Sequence, residues 1–402
     1  MKSLLLAAAV LSAHSVLWAQ WPQWRGPNRD GKVAAEHVPA SWPAKLTPKW
    51  TQKVGEGYST PVVSNGRIFV HGRQDPDEVV TALDLAAGEV AWSARYQSAF
   101  NKNKYANEMS KGPFSTPLVA SGLVYTLGTS AVLSAFDEKT GDLKWRKDWS
   151  KEIDTSKMFT GTAMSPIIVG GLLVVHVGDD GEGAFYGLDP ASGAEKWSLP
   201  GHGPGYASPV IQTAAGAGHL VTMTDKAVVG VEASTGKLLW TIPFPDEWNE
   251  NIVTPVFADD LVIISGTRKG TFGYRLEAAG PKQVWHNTDV PMYMSSPVAQ
   301  GGVLYGFTHR NRGQFFALDM KTGRTLWTSP PRQGDNASLS VAGAFVLAVT
   351  TEGALLVMRQ GSTAFDPVRT YTVAQSPVWA HPAFTGRGIL VKDLESLALW
   401  TF

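Results

Sequence analysis

The stretch Ala82-Leu-Asp-Leu-Ala-Ala-Gly88-Glu-Val-Ala-Trp92 decides the fold, because the chain keeps repeating it. It returns as Ala135-Phe-Asp-Glu-Lys-Thr-Gly141-Asp-Leu-Lys-Trp145 and as Gly187-Leu-Asp-Pro-Ala-Ser-Gly193-Ala-Glu-Lys-Trp197. Further copies run from Gly230 through Gly236 to Trp240 and from Ala317 through Gly323 to Trp327, and a worn one ends at Trp285. Each holds a short apolar strand, a polar turn with Gly at one fixed place, and a strand ending in Trp. The Gly supplies the positive φ of a tight turn, and the Asp, Ser or Thr ahead of it bonds the turn's backbone. The Trp is a large apolar anchor whose N–H still finds a partner near an edge.

Every copy has a preceding half. Ser59-Thr-Pro-Val-Val-Ser-Asn-Gly-Arg-Ile-Phe-Val70 is echoed by Ser115-Thr-Pro-Leu-Val, and further echoes begin at Ser165-Pro166, Ser208-Pro209, Thr254-Pro255 and Ser296-Pro297. One unit is therefore four short strands, and units recur every 40 to 50 or so residues, the spacing of a β-propeller blade. No 3.6-residue periodicity is sustained, which excludes helical repeats of similar length. Seven internal units begin near Ser59, Ser115, Ser165, Ser208, Thr254, Ser296 and Ser338, the seventh without its Trp and Gly turn. At the front, Pro48-Lys-Trp50-Thr-Gln-Lys-Val54 resembles a Trp strand with nothing before it; the C-terminal end from Pro377 to Phe402 supplies three strands and stops. The two fragments complete each other. The expectation is an all-β, eight-bladed propeller of four-stranded antiparallel blades over 46–402, its last blade closed by the N-terminal strand so that no seam is left unpaired. Seven blades is the alternative.

The front end carries Met1-Lys2-Ser3 and an apolar run from Leu4 to Leu11, too short to span a bilayer. Residues 1–19 are expected to be a signal peptide cleaved near Ala19, placing the protein in the periplasm or outside the cell. Residues 20–45, rich in Trp, Pro and Arg, read as an extended arm pinned to the propeller surface by Trp21 and Trp24. With no Cys in the chain, neither disulfides nor an N-terminal lipid are expected. Lys+Arg 35 against Asp+Glu 35 leaves no basic excess, so nucleic acid is not an expected partner. No later run suggests a transmembrane segment, and a monomer is expected.

Propeller topology puts the monotonous Gly turns on one face. The long, variable connections go to the other, where function tends to sit. That face supplies the candidate binding residues: His202, Tyr206, Glu247, Trp248, Asn249, Asn251, Tyr293, His309, Arg310, Arg312, Trp379 and His381. Glu247, Asn249, Glu250 and Asn251 beside Trp248 are the best polar and aromatic mix for a sugar or peptide. His309-Arg310-Asn-Arg312 has the donors to grip a carboxylate or phosphate. Asp179, Asp180 and Glu182 have carboxylates enough for a hard cation but not the spacing of a calcium loop, so they are weak metal candidates. No His pair has metal-ligand spacing, and no nucleophile elbow, phosphate loop or dinucleotide fingerprint is present. No catalytic residue is assigned. His71, His176 and His219, in or beside strands, read as structural.

The Ser-Pro-led strand with Ala-Leu-Asp-x-x-Thr-Gly-x-x-x-Trp resembles the pyrroloquinoline-quinone-type (PQQ-like) propeller repeat, from Pro48 to Phe402. The resemblance implies two functional classes. One is the quinoprotein dehydrogenases, which hold the quinone and Ca²⁺ on the axis; the other is non-catalytic scaffolds, such as the propeller lipoprotein of the β-barrel assembly machinery. This chain lacks the adjacent cysteines that stack the quinone in the alcohol dehydrogenases, and the insertions that build their pocket. The expectation is therefore a secreted or periplasmic scaffold with no cofactor, presenting its variable face to a protein, peptide or glycan. A small PQQ- and Ca²⁺-dependent oxidoreductase acting on an alcohol or sugar is the alternative.

Overall fold

In the computed structural model, residues 20–402 are described apart from 107, 215, 216, 259, 362 and 387; residues 1–19, expected to be a signal peptide, lie outside them. Eight sheets surround an axis. Blade 1 shows the pattern, with Val62–Ser64 innermost, then Arg67–Gln74, Asp77–Asp84 and Val90–Gln97 outermost, all antiparallel. Blades 2 to 7 follow, with innermost strands Leu118–Ala120, Ile167–Val169, Val210–Ala214, Val256–Ala258, Val298–Gln300 and Ala337–Ala342. Blade 8 takes Ala383–Phe384, Gly388–Lys392 and Ser396–Thr401 from the C-terminal end, and Thr47–Lys53 from the front as its outermost strand. The closure expected from the two sequence fragments is present, and there are eight blades.

The repeated Trp and Gly join consecutive blades. Trp92 Nε1 donates to Glu138 O at 3.1 Å, Trp145 to Pro190 O at 3.0 Å, and Trp197 to Ala233 O at 3.1 Å, each acceptor lying in the next blade's outer turn. Trp50, Trp285 and Trp327 do the same for Leu85, Met320 and Gly361. The ring also lies on that turn's Gly. At Gly193, with φ +71°, a Cβ would stand 2.7 Å from the Trp145 ring, so only glycine permits both the turn and the ring's approach. Blade 7 has no such Trp, and there Trp400 reaches back from blade 8 to Val373 O at 3.1 Å. Each joint combines indole burial with a hydrogen bond worth about 1 kcal/mol net, and each blade depends on its neighbours.

Apolar residues of adjoining blades interdigitate between the sheets, as with Val80, Phe69 and Val124 between blades 1 and 2. No helix among the described residues is long and apolar enough to cross a membrane.

Candidate functional site

The Ser or Thr before the Pro that leads into each of the first six innermost strands points its hydroxyl to the preceding blade. Thr60 N donates to Thr116 Oγ1 at 3.3 Å, Thr116 N to Ser165 Oγ at 3.1 Å, and Ser165 N to Ser208 Oγ at 3.0 Å. Thr254 Oγ1 donates to Ser208 O at 3.2 Å, Thr254 N to Ser296 Oγ at 3.1 Å, and His381 N of blade 8 to Thr60 Oγ1 at 3.1 Å. The Ser/Thr-Pro repeat is thus a hydrogen-bonded belt around the axis, with the donor-less Pro next in line. The motif is plain in the sequence; its function as a belt is visible only in the fold.

The arm does not lie on the surface. It runs into the axis, which corrects the expectation for Trp21 and Trp24. Trp21 exchanges both backbone bonds with Val63 in blade 1, Val119 N of blade 2 donates to Pro22 O, and Lys32–Val33 adds to blade 7 in parallel. Between them Trp24, Arg25 and Arg29 are buried. Arg29 donates from Nε to Pro209 O at 2.7 Å, from Nη1 to Pro166 O at 2.9 Å, and from Nη2 to Ser165 O at 3.1 Å. Arg25 Nη2 reaches Pro297 O at 2.5 Å. Both guanidiniums also lie within 6 Å of the Trp24 ring, at 5.3 and 5.6 Å. Burial lowers Arg25 to about 10; burial, then Arg25's charge, lowers Arg29 to about 9. Both remain cations at neutral pH. Composition gave no hint of this, because the arm's partners are backbone carbonyls far away in sequence.

Trp24 forms the floor of a funnel of about 150 Å³ that opens on the variable face. Its sides are the belt hydroxyls and Tyr58, Phe114, Tyr206, Trp379 and His381. His381 packs edge-on against Trp24, ring centres 5.4 Å apart, and burial with Arg25's charge lowers its imidazole to about 3, leaving it neutral.

Beside the funnel lies a larger groove of about 710 Å³, built from the connections between blades 1 and 6. Tyr206 stands between the two cavities, its hydroxyl accepting Phe159 N–H at 2.8 Å, and burial pushes the phenol up. Trp248 is 60% exposed and Tyr105 76% exposed. Arg268 stacks 3.6 Å from the Trp248 ring centre and is ion-paired with Glu247, while Asn249 donates to Asp180. Tyr293 Oη donates to Glu250 Oε2 at 2.6 Å; burial raises the Glu250 carboxyl against the pull of that bond.

Of the candidates, Tyr206, Glu247, Trp248, Asn249 and Tyr293 line this groove, and Trp379 and His381 line the funnel. His309 belongs to a side cavity with Tyr293 and Trp379. His202, Arg310 and Arg312 line neither. Asn251 is corrected: it is buried, and its amide is spent on Thr224 O, Asp225 O and Phe244 O. The weak metal candidates do not converge, since Asp179 faces Lys157 at 3.3 Å; among the described residues no three His, Cys, Asp or Glu are placed to hold a metal. Sequence reasoning passed over Tyr105 and Lys157 as groove residues, although both stand in long connections of the variable face. His71 and His176 are buried, as a structural reading requires.

Fold and site define a PQQ-like propeller whose axis is filled by its own N-terminal arm and whose long connections build a face with a funnel and a groove. The sequence model described as outer membrane protein assembly factor BamB matches residues 45–104 and 76–329, and the chain belongs to that family. It is 23% identical over 335 residues to the assembly factor BamB of Moranella endobia, covering 76% of this chain and 79% of that one. The crystal structure of BamB from Moraxella catarrhalis superposes with a TM-score of 0.63 at 14% identity, covering 89% of this chain and all of that one. A europium-containing methanol dehydrogenase superposes at 0.76 with 12% identity, covering 96% and 98%. At these identities the two structures speak for the fold alone.

Proposed function

We propose that this chain is a non-catalytic periplasmic scaffold of outer-membrane protein assembly that docks a protein partner on its variable face. The observation that carries this is the asymmetry of the two faces, in a member of this family. One face holds a groove and an adjoining funnel, with two largely exposed aromatic side chains, Tyr105 and Trp248. The other is made of short repeated turns. Aromatic groups on a rigid frame give contact area at low entropic cost, as interface anchors do. Photo-crosslinking tests the reading. A benzophenone side chain at position 105 or 248, in Gram-negative cell envelopes, is expected to yield adducts with a component of the outer-membrane assembly machinery. The same group at Lys139 or Lys321, on the turn face, is expected to yield none. Adducts from the turn face only, or from neither face, would reject it.

The quinone reading has the weaker support. A quinone and Ca²⁺ on the axis would compete with the Trp24 ring and with two guanidiniums, where the cation needs oxygen ligands of negative charge. Calorimetric titration with pyrroloquinoline quinone and Ca²⁺ is expected to be flat. Stoichiometric binding tighter than about micromolar, roughly −8 kcal/mol, would restore the oxidoreductase reading.

A further inference from the structure

The groove has a charge imbalance that its own residues do not relieve. Its lining carries the carboxylates of Asp180, Glu247 and Glu250 against the single ammonium of Lys157. Lys157 is engaged by Asp179 at 3.3 Å, and Glu247 by Arg268. Glu250 is half-buried, and among the described residues it faces a phenol, Tyr293, rather than a cation. Asp246 close by spends its Oδ1 on the backbone N–H groups of Trp248 and Glu250, which adds negative charge at the same end. A carboxylate drawn out of water without a counter-charge costs free energy that a cationic partner recovers. Around this acidic end stand Trp248, Tyr105 and Tyr293, whose ring faces attract cations and whose bodies cover aliphatic stems. Arg268 already shows the arrangement on one face of Trp248, a guanidinium stacked on the indole with Glu247 as its carboxylate.

We propose that the groove receives a lysine or arginine of an extended segment of the protein partner, its charged end meeting Glu250 and Asp180 and its stem lying along Tyr105 and Trp248. This rests on the protein-docking reading and names the chemistry of what is docked. The aliphatic stem, not only the charge, uses the aromatic walls, so a basic side chain flanked by apolar residues fits better than a polybasic run.

The test uses the full chain and two short synthetic peptides, alike except that one carries lysine where the other carries glutamine. Calorimetric titration is expected to show saturable binding of the lysine peptide, weakened by added salt, with the glutamine peptide at least about tenfold weaker. Glu250→Gln keeps an acceptor for Tyr293 but removes the charge, and is expected to abolish the discrimination while leaving the denaturation midpoint in place. Tyr105→Ala is expected to weaken the lysine peptide several-fold without changing the fold. Equal binding of both peptides, binding of neither, or discrimination that survives Glu250→Gln would overturn the proposal. Crosslinks from positions 105 and 248 together with equal binding of the two peptides by the wild-type chain would reject this inference alone; absence of those crosslinks in the wild-type chain would reject the docking reading itself.

Discussion

Glu78→Ala is expected to lower the stability of the propeller by about 3–5 kcal/mol, the cost of breaking a buried ion pair by removing one partner. Glu78 is wholly buried in blade 1 and takes Arg73 Nη2 at 2.9 Å and Tyr96 Oη at 2.7 Å. From blade 2 it takes Thr129 N at 3.0 Å and Thr129 Oγ1 at 2.6 Å, and His71 Nε2 lies at 3.3 Å. One carboxylate therefore ties three strands of blade 1 to the neighbouring blade. Arg73 also donates to Ser98 O at 2.7 Å, where the long connection carrying Tyr105 begins. Burial by itself would raise the Glu78 carboxyl, but His71, Thr129 and Tyr96 outweigh it and hold it at about 2 against an ordinary 4.5. A folded pKa below the unfolded one gives stability that is complete above about pH 4.5 and lost as pH falls towards 2, on the order of 3 kcal/mol. Urea denaturation of both proteins from pH 7 to pH 3 checks the sign. The gap between wild type and Glu78→Ala should narrow on the acid side, and a gap that widens would refute the assignment. Glu78→Gln keeps the shape and most hydrogen bonds but leaves Arg73, among the described residues, with only the half-exposed Asp75, at 3.4 Å, as a charged partner, so it should recover only part of the loss.

What could be read in the sequence was whatever the fold repeats. The joints between blades use the same Trp and Gly at the same spacing, so blade number, strand order and the composite eighth blade follow from Trp92, Trp145, Trp197 and their copies. The seventh blade, where the pattern is lost, uses a different device: Trp400 bonding back to Val373 O. The groove was half legible. Trp248 with Glu247 and Asn249 stood out as an aromatic among polar groups in a long connection, and these residues do line it. Tyr105, from a connection three blades earlier in the chain, joins them only through the closure of the ring. Asn251 misled for a plain reason: an amide in a loop looks the same whether it will face a ligand or satisfy three buried carbonyls. The arm was illegible for a related reason. Arg25 and Arg29 recognise main-chain oxygens, and a carbonyl that receives a guanidinium leaves no mark on the residue that owns it.

Arg29→Met is expected to cost about 3 kcal/mol, the second large effect, although Met conserves much of the apolar stem. Three buried carbonyls, those of Ser165, Pro166 and Pro209, lose their donors at once, and each unsatisfied group costs on the order of 1–3 kcal/mol before water enters to relieve it. Removing a guanidinium also removes the cost of holding a cation in the axis, a cost visible in its lowering to about 9, and this offsets part of the loss. The net figure is therefore nearer one strong loss than three. Arg29→Lys should rescue less than half, because a single ammonium cannot span carbonyls on blades 3 and 4 as the planar fork does. Guanidinium denaturation of the three proteins measures this, and full rescue by Lys would mean that charge alone, not the fork, holds the arm. A second readout locates the loss. With Arg29 gone, the backbone bonds between Trp21 and Val63 and between Val341 N and Gly31 O remain as the arm's ties to blades 1 and 7. Amide exchange at Val63 and Val341 should rise, while exchange at Val124 and Val262, deep within blades 2 and 5, should not. Faster exchange in every blade would show that the arm is needed for the whole ring to stay folded. Faster exchange confined to the arm's contacts would make it a plug that fills an axis the joints between blades already hold closed.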